Sequence, residues 1–353
     1  MEGAVIHEQL ENAKRLKEFK YYFNDEGQLR HTESNQPFDY KRYSNSRNLN
    51  HQWYKAFGTI LADYVYELLE KECRLKRVDI PLDTAEIGDS QSFCFMTEGA
   101  LTNPSKLIVL LQDRGVMRAG TWSQQLIVHD SLNTGTQIPF IKQALGEQYE
   151  VIVLNGNDNF TAIKQDDGAE EKTTCDSDQQ EHNLRLEQIP KLGFESLEAH
   201  TIYIWDHFIS TSPDMSVAFI VHGYGGLAFV NLLNERKDVM SKVYAVAFIN
   251  SAHDVDHQNV GQIGRNWIGK RSRHWLLSAK PLDKLVPSVR TGCAQVSAGT
   301  QNHDLAPTTC LHSVFKYLKK ISNVQKTNPF VRLPIITRSL SRKLRAKTKR
   351  KRM

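Results

Sequence analysis

An α/β fold, a mostly parallel sheet with helices on both faces, is what the sequence predicts, and two observations carry that prediction. Apolar runs short enough to be buried strands recur at 106–111, 149–154, 216–221, 243–250, 275–278 and 294–298, with helix-like or loop stretches between them. At one junction a strand runs into a glycine-rich turn and then into a helix-period segment, 227–240. That junction, Val221-His222-Gly223-Tyr224-Gly225-Gly226, has the frame of a nucleophile elbow. Such a strand–turn–helix presents a serine above the sheet in enzymes of the α/β-hydrolase architecture, and small residues let the two backbones approach. Here the serine's own position is Gly223, which has no side chain to attack a carbonyl. The fold class expected is α/β-hydrolase-like.

The elements follow in order. Residues 1–45 form a polar N-terminal segment in which Tyr21-Tyr22-Phe23 and the turn at Gly27 suggest a hairpin. Residues 46–98 read as an amphipathic helix and a connector, because Trp53, Phe57, Ile60, Tyr64 and Leu68 fall on one helical face over 50–72. The α/β-hydrolase-like domain is expected over 99–322 and closes with a helix over 308–321. Near 164–188 the rhythm breaks. Asp166, Asp167, Glu170, Glu171, Asp176, Asp178, Glu181 and Glu187 crowd a stretch with few apolar residues, which predicts a solvated acidic insertion rather than a metal site. Residues 323–353 read as a basic disordered tail.

Charge is distributed unevenly. The net charge is +5, yet nine Lys/Arg and no acids fall within 338–353, which leaves the first 337 residues mildly acidic at about −4. No apolar stretch approaches the roughly 20 residues of a membrane span. The N-terminus lacks the basic and apolar regions of a secretory signal. The five cysteines, Cys73, Cys94, Cys175, Cys293 and Cys310, are scattered without a C-x-x-C pair, which suggests a reducing compartment and neither a disulfide framework nor a zinc ribbon. No cofactor motif is present, and none is expected to bind.

Triad chemistry needs a nucleophile, a base and an acid at successive strand ends. The strand ending near Ser278 leads into Pro281-Leu282-Asp283, the usual place for the acid. The next leads to His303, the usual place for the base, so an Asp283–His303 pair is expected. The oxyanion loop after Leu111 reads Gln112-Asp113-Arg114-Gly115, and a carboxylate at Asp113 is badly suited to a pocket that stabilises negative charge. Gly223, Asp283 and His303 are therefore read as vestigial triad positions beside an altered oxyanion loop at Gln112 and Asp113. His222 reads as a packed histidine. Tyr224 is a weak surrogate nucleophile without a strong base, and His253, Asp254 and His257 lack a fourth ligand of fitting spacing.

In the tail, Arg342, Lys343, Arg345, Lys347, Lys349, Arg350, Lys351 and Arg352 form a nuclear-import-like cluster, also suited to nonspecific contact with nucleic acid. No RNA-recognition aromatic motif accompanies it.

Several longer segments carry a resemblance. They include Tyr22-Phe23-Asn24-Asp25-Glu26-Gly27, Tyr64-Val65-Tyr66-Glu67-Leu68-Leu69, Arg118-Ala119-Gly120-Thr121-Trp122, Ile204-Trp205-Asp206-His207-Phe208-Ile209, Pro281-Leu282-Asp283 and Val296-Ser297-Ala298-Gly299-Thr300. From about Phe19 to Tyr317 the chain resembles the Argonaute-binding cotranscriptional-regulator family, whose hydrolase-like domain also occurs appended to fungal histone deacetylases. The resemblance implies protein partners among Argonaute, chromatin or splicing factors, a link to alternative splicing, and a location in the nucleus and also the cytoplasm. The family has Ser where this chain has Gly223, and His-Gly where it has Gln112-Asp113. Its signal-like N-terminus and ER-retention-type C-terminus have no counterpart here. The losses fit a divergent paralogue. The expected function is a non-catalytic nuclear interaction module. The alternatives are a serine-independent or residual esterase or amidase, and a pseudoenzyme that binds a small molecule.

Overall fold

The computed structural model describes residues 16–41, 43, 46–81, 91–102, 106–164, 186–212, 214–286 and 292–327. Twelve strands form among them: β1 (Tyr21–Phe23), β2 (Leu29–His31), β3 (Lys76–Ile80), β4 (Ser92–Met96), β5 (Leu107–Leu111), β6 (Glu150–Leu154), β7 (Phe160–Lys164), β8 (Leu186–Pro190), β9 (Val217–His222), β10 (Val243–Ile249), β11 (Ser272–Leu276) and β12 (Ala294–Ser297). Eight of them make one sheet in the order β12-β11-β10-β9-β5-β6-β4-β3. All its pairings are parallel except those of β4, which runs antiparallel to both β3 and β6. Counted along the chain, the eight strands lie in the order 1-2-4-3-5-6-7-8 with the second reversed, the α/β-hydrolase arrangement.

Every residue of β4, β5, β9 and β10 is buried, as a sheet covered on both faces requires. The side chains alternate between two cores. One holds Ile108, Leu110, Ala218 and Ile220 with Trp122, Phe140 and the last helix, Ala306–Thr327. The other holds Val109, Leu111, Phe219 and Val221 with Trp205, Phe229 and Trp267.

The helix Arg47–Lys71 joins the first core through Trp53, Phe57, Leu61, Val65 and Leu69, a strict four-residue spacing. Ile60, Tyr64 and Leu68, expected on that face, flank it and are half-buried. Trp53 stacks on Phe57 at 5.4 Å, and Phe38 stacks on both. The β1–β2 hairpin packs there through Tyr21.

Two expected boundaries shift. The connector after the helix contains β3 and β4, so the hydrolase-like sheet begins near 76 rather than 99. Short, partly polar β3 gives no apolar run, and its edge position explains why it needs none. The acidic insertion starts and ends in paired strands, since β7 and β8 form an antiparallel ribbon. Residues 165–185 of that insertion and 328–353, including all eight tail cations named above, lie outside the described residues. Among the described residues no helix is long and apolar enough to cross a membrane.

Candidate functional site: the elbow and its carboxylate

Strand β9 ends at His222 and the chain turns at Gly223, whose φ is +53°. L-residues pay for that left-handed region, and the elbow imposes it. The helix Gly225–Glu235 begins two residues later. A Cβ on Gly225 would sit 2.8 Å from the Gln112 carbonyl oxygen and 2.9 Å from that of Leu111, so this glycine lets the helix close onto the end of β5.

The space a nucleophile would use is filled. A Cβ built on Gly223 would overlap the carboxyl group of Asp113. Asp113 leaves the end of β5 and accepts two backbone N–H bonds at Oδ1, from Tyr224 at 2.6 Å and from Arg114 at 2.8 Å. The N–H of the residue after the nucleophile is an oxyanion-hole donor in hydrolases of this fold. In this chain that donor, Tyr224 N–H, is spent on Asp113. The other oxygen, Oδ2, takes Nε2 of His303 at 2.9 Å. Asn157 pins the loop from outside, its Nδ2 donating to the Asp113 carbonyl at 2.7 Å and to that of Met117 at 2.9 Å.

Electrostatics follow from these contacts. Burial raises the Asp113 pKa, but the His303 hydrogen bond and the Tyr224 and Arg114 N–H groups outweigh it and hold the carboxyl below its ordinary value. His303 moves up because of its bond to Asp113, against the opposing pull of burial. His222 lies wholly buried and stacks on His303, ring centroids 4.3 Å apart. Burial, helped by the His303 charge, pushes its pKa down to about 4, so it stays neutral. Its Nε2 faces the His303 carbonyl at 3.2 Å and must be the protonated nitrogen, since a carbonyl can only accept.

Asp113, His222 and His303 offer ligand atoms within 4.8 Å of one another. The arrangement reads as a hydrogen-bonded network instead of a cation cage. The two imidazoles are stacked with their planes 26° apart, so their lone pairs do not converge, and Asp113 already serves His303 and two N–H groups.

The expected Asp283–His303 pair is not formed. Asp283 accepts at Oδ1 from Trp275 Nε1 at 3.2 Å and from the Ser313 hydroxyl, tying the loop after β11 to the last helix. His303 instead places Nδ1 2.6 Å from the carboxamide nitrogen of Asn250, the residue that ends β10. A carboxamide suits either protonation state of the ring, its nitrogen donating to a neutral Nδ1 and its oxygen accepting from a protonated one. Asn250 therefore orients the imidazole from the side opposite Asp113. It was missed because the strand end after β10 carries no acid; the signal available was a polar residue at the carboxyl end of the strand beside the elbow strand.

The remaining candidates are scattered. Gln112 is fully buried and its carboxamide has no hydrogen-bond partner among the described residues, so it offers nothing to a substrate. Tyr224 hydrogen-bonds Glu198, which together with burial raises its phenol pKa and keeps it protonated. His253 bonds Ser251 Oγ at 2.7 Å, whereas exposed His257 pairs with Asp254, so these histidines do not converge on a site. Cys73, Cys94 and Cys310 are buried free thiols and Cys293 is half-buried.

With this geometry in place, the chain can be set beside known proteins. The Arb2 domain model matches residues 13–282. The chain belongs to the Arb2 domain family. It is 45% identical to ARB2BP of Homo sapiens, over 95% of this chain and 96% of that protein. It is 40% identical to the cotranscriptional regulator ARB2A of Homo sapiens, over 89% of this chain and 82% of the regulator. Among solved structures, a histone deacetylase from Saccharomyces cerevisiae aligns over 74% of this chain and 98% of its own, at 14% identity and a TM-score of 0.43.

Proposed function

We propose that this Arb2 family member is a catalytically silent hydrolase-fold module that serves cotranscriptional regulation by binding protein partners. The single observation that carries the silence is the Asp113 carboxylate at the elbow. It takes the volume of the absent nucleophile, the oxyanion N–H of Tyr224 and the Nε2 of His303 at once. An acyl substrate finds neither an attacking atom nor a free donor for a developing oxyanion.

The regulatory half of the reading rests on the family's curated relatives, which are named cotranscriptional regulators. Within it, Argonaute, chromatin or splicing factors are the partners proposed, and the polybasic run Arg342–Arg352 is proposed to direct nuclear import and to add nonspecific nucleic-acid contact. Incubating the native chain with a serine-reactive fluorophosphonate and with p-nitrophenyl acetate tests the silence. No labelling and no turnover above a heat-denatured control are expected, and robust labelling would overturn it. Truncation after Ser341 tests import: the protein should lose its nuclear enrichment, and full retention would refute the tail's role.

A further inference from the structure

Beside the elbow, at the carboxyl ends of β5, β6 and β9, lies a cleft of about 450 Å³ whose floor includes Tyr224. Ligands of α/β sheets bind at these strand ends. The charged groups around this cleft are unequally engaged. Asp158 is neutralised by Lys191 Nζ at 2.8 Å, with both side chains largely buried. Glu195 accepts the Gly193 N–H at 2.9 Å, and Glu198 takes the Tyr224 hydroxyl. The carboxylates are thus already engaged within the chain.

The cations are not. Arg114 holds its guanidinium 5.1 Å above the Tyr224 ring and pairs with no carboxylate among the described residues. Arg118 spends one N–H on the Gly115 carbonyl at 3.3 Å and likewise has no acidic partner there. Two guanidiniums with unused donors and an aromatic ring between them and the elbow recognise carboxylates. The rim adds apolar surface: Phe160 is 51% exposed, and Leu197 lines the same cleft. A bare ion would leave that surface wet; an acidic side chain flanked by apolar ones would cover it.

We infer that this cleft is a binding site for an acidic, apolar-flanked peptide segment of a protein partner, read by Arg114 and Arg118. The inference rests on the interaction-module reading and names the chemistry of the partner's contact.

The test uses the full chain and a fluorescein-labelled, end-blocked hexapeptide of alternating leucine and glutamate, with its leucine–glutamine counterpart as control. Fluorescence anisotropy should show saturable binding of the glutamate peptide that weakens as salt rises. Losing the carboxylates or making Arg114→Gln/Arg118→Gln should each weaken it at least about ten-fold, the value of one charge-assisted hydrogen bond. Thermal unfolding of the arginine variant should match the parent, because neither guanidinium supports the core. No binding, equal binding of the glutamine peptide, or full retention in the arginine variant would overturn the site. So would binding that vanishes only when Lys349, Arg350, Lys351 and Arg352 are neutralised, since that assigns it to the tail. Fluorophosphonate labelling would instead sink the silent-elbow reading while leaving peptide binding intact, so the two failures are distinguishable.

Discussion

Asp113 and Asp283 are both loop carboxylates at the ends of parallel strands, and they do opposite things. Asp283 faces away from the elbow and accepts from Trp275 and Ser313, a clamp between the β11 loop and the last helix. Asp113 faces inward, where it accepts from Tyr224, Arg114 and His303. Chain order alone assigns the acid role to Asp283 and treats Asp113 as an obstacle. The side-chain geometry shows that the obstacle is the centre of the site. It also shows why Gly223 and Asp113 occur together: any Cβ at 223 would collide with that carboxyl group, and the carboxyl group would have no room beside a serine. The vacancy and its occupant are one feature.

The largest effect that can break this contrast is acidification, because the two stacked histidines shift in opposite directions. His222 has a folded pKa near 4, below its unfolded value of about 6.5. The unfolded chain therefore binds more protons between those values, and stability falls as the pH drops from about 6.5 to 4. His222 alone accounts for on the order of 3 kcal/mol at 1.36 kcal/mol per unit. His200 and His274, also buried and shifted down, add to the loss. His303, shifted up, contributes stability that is complete below about 6.5 and lost as pH rises through its folded value. Asp113, shifted down, contributes above about 3.9 and loses it only below that. Urea unfolding at pH 7 and at 4.5 should show a marked drop at the acid end. A flat profile would mean that His222 is not held neutral in the fold.

Next in size is Asp113→Ala. It strands the Tyr224 N–H and the His303 imidazole and is expected to cost about 2 kcal/mol. NMR titration should show the His303 pKa falling back, and an unchanged value would dissociate His303 from Asp113. Asp283→Asn should be milder, about 1 kcal/mol, because asparagine tolerates the φ of +67° at that position and keeps one acceptor. The His303 pKa should not move in that variant; a shift would restore the pair that chain order suggests. Smallest is Asn250→Asp, which substitutes an orienting acid for an orienting amide beside His303 Nδ1. It should raise the His303 pKa with little change in stability, and the same NMR titration reads it.

Much of the fold was legible from residues alone. Continuous apolar runs gave β5, β6, β9 and β10, because a strand buried on both faces has no polar side to show. The elbow was legible because three glycines at a strand–helix junction have a steric cause. Strand β3 was not, since only Ile80 of its five residues is fully buried. The triad partners were half legible. His303 stands at the elbow as its chain position implied, but the direction of the Asp283 side chain depends on Trp275 and Ser313, which lie 8 and 30 residues away. Asn250 carries no composition signal at all. Its role comes from β10 lying beside β9, a fact of sheet order.

The coupling between positions 113 and 223 tests the central claim most directly. Gly223→Ser, Asp113→Gly and the double variant complete a cycle in chemical denaturation. Gly223→Ser alone should be severely destabilised, by about 3 kcal/mol, from φ strain plus overlap. Asp113→Gly empties the space, so the double variant should be more stable than the sum of the singles by at least about 1 kcal/mol. Simple additivity would contradict it, because then the Asp113 carboxylate does not occupy the nucleophile's place.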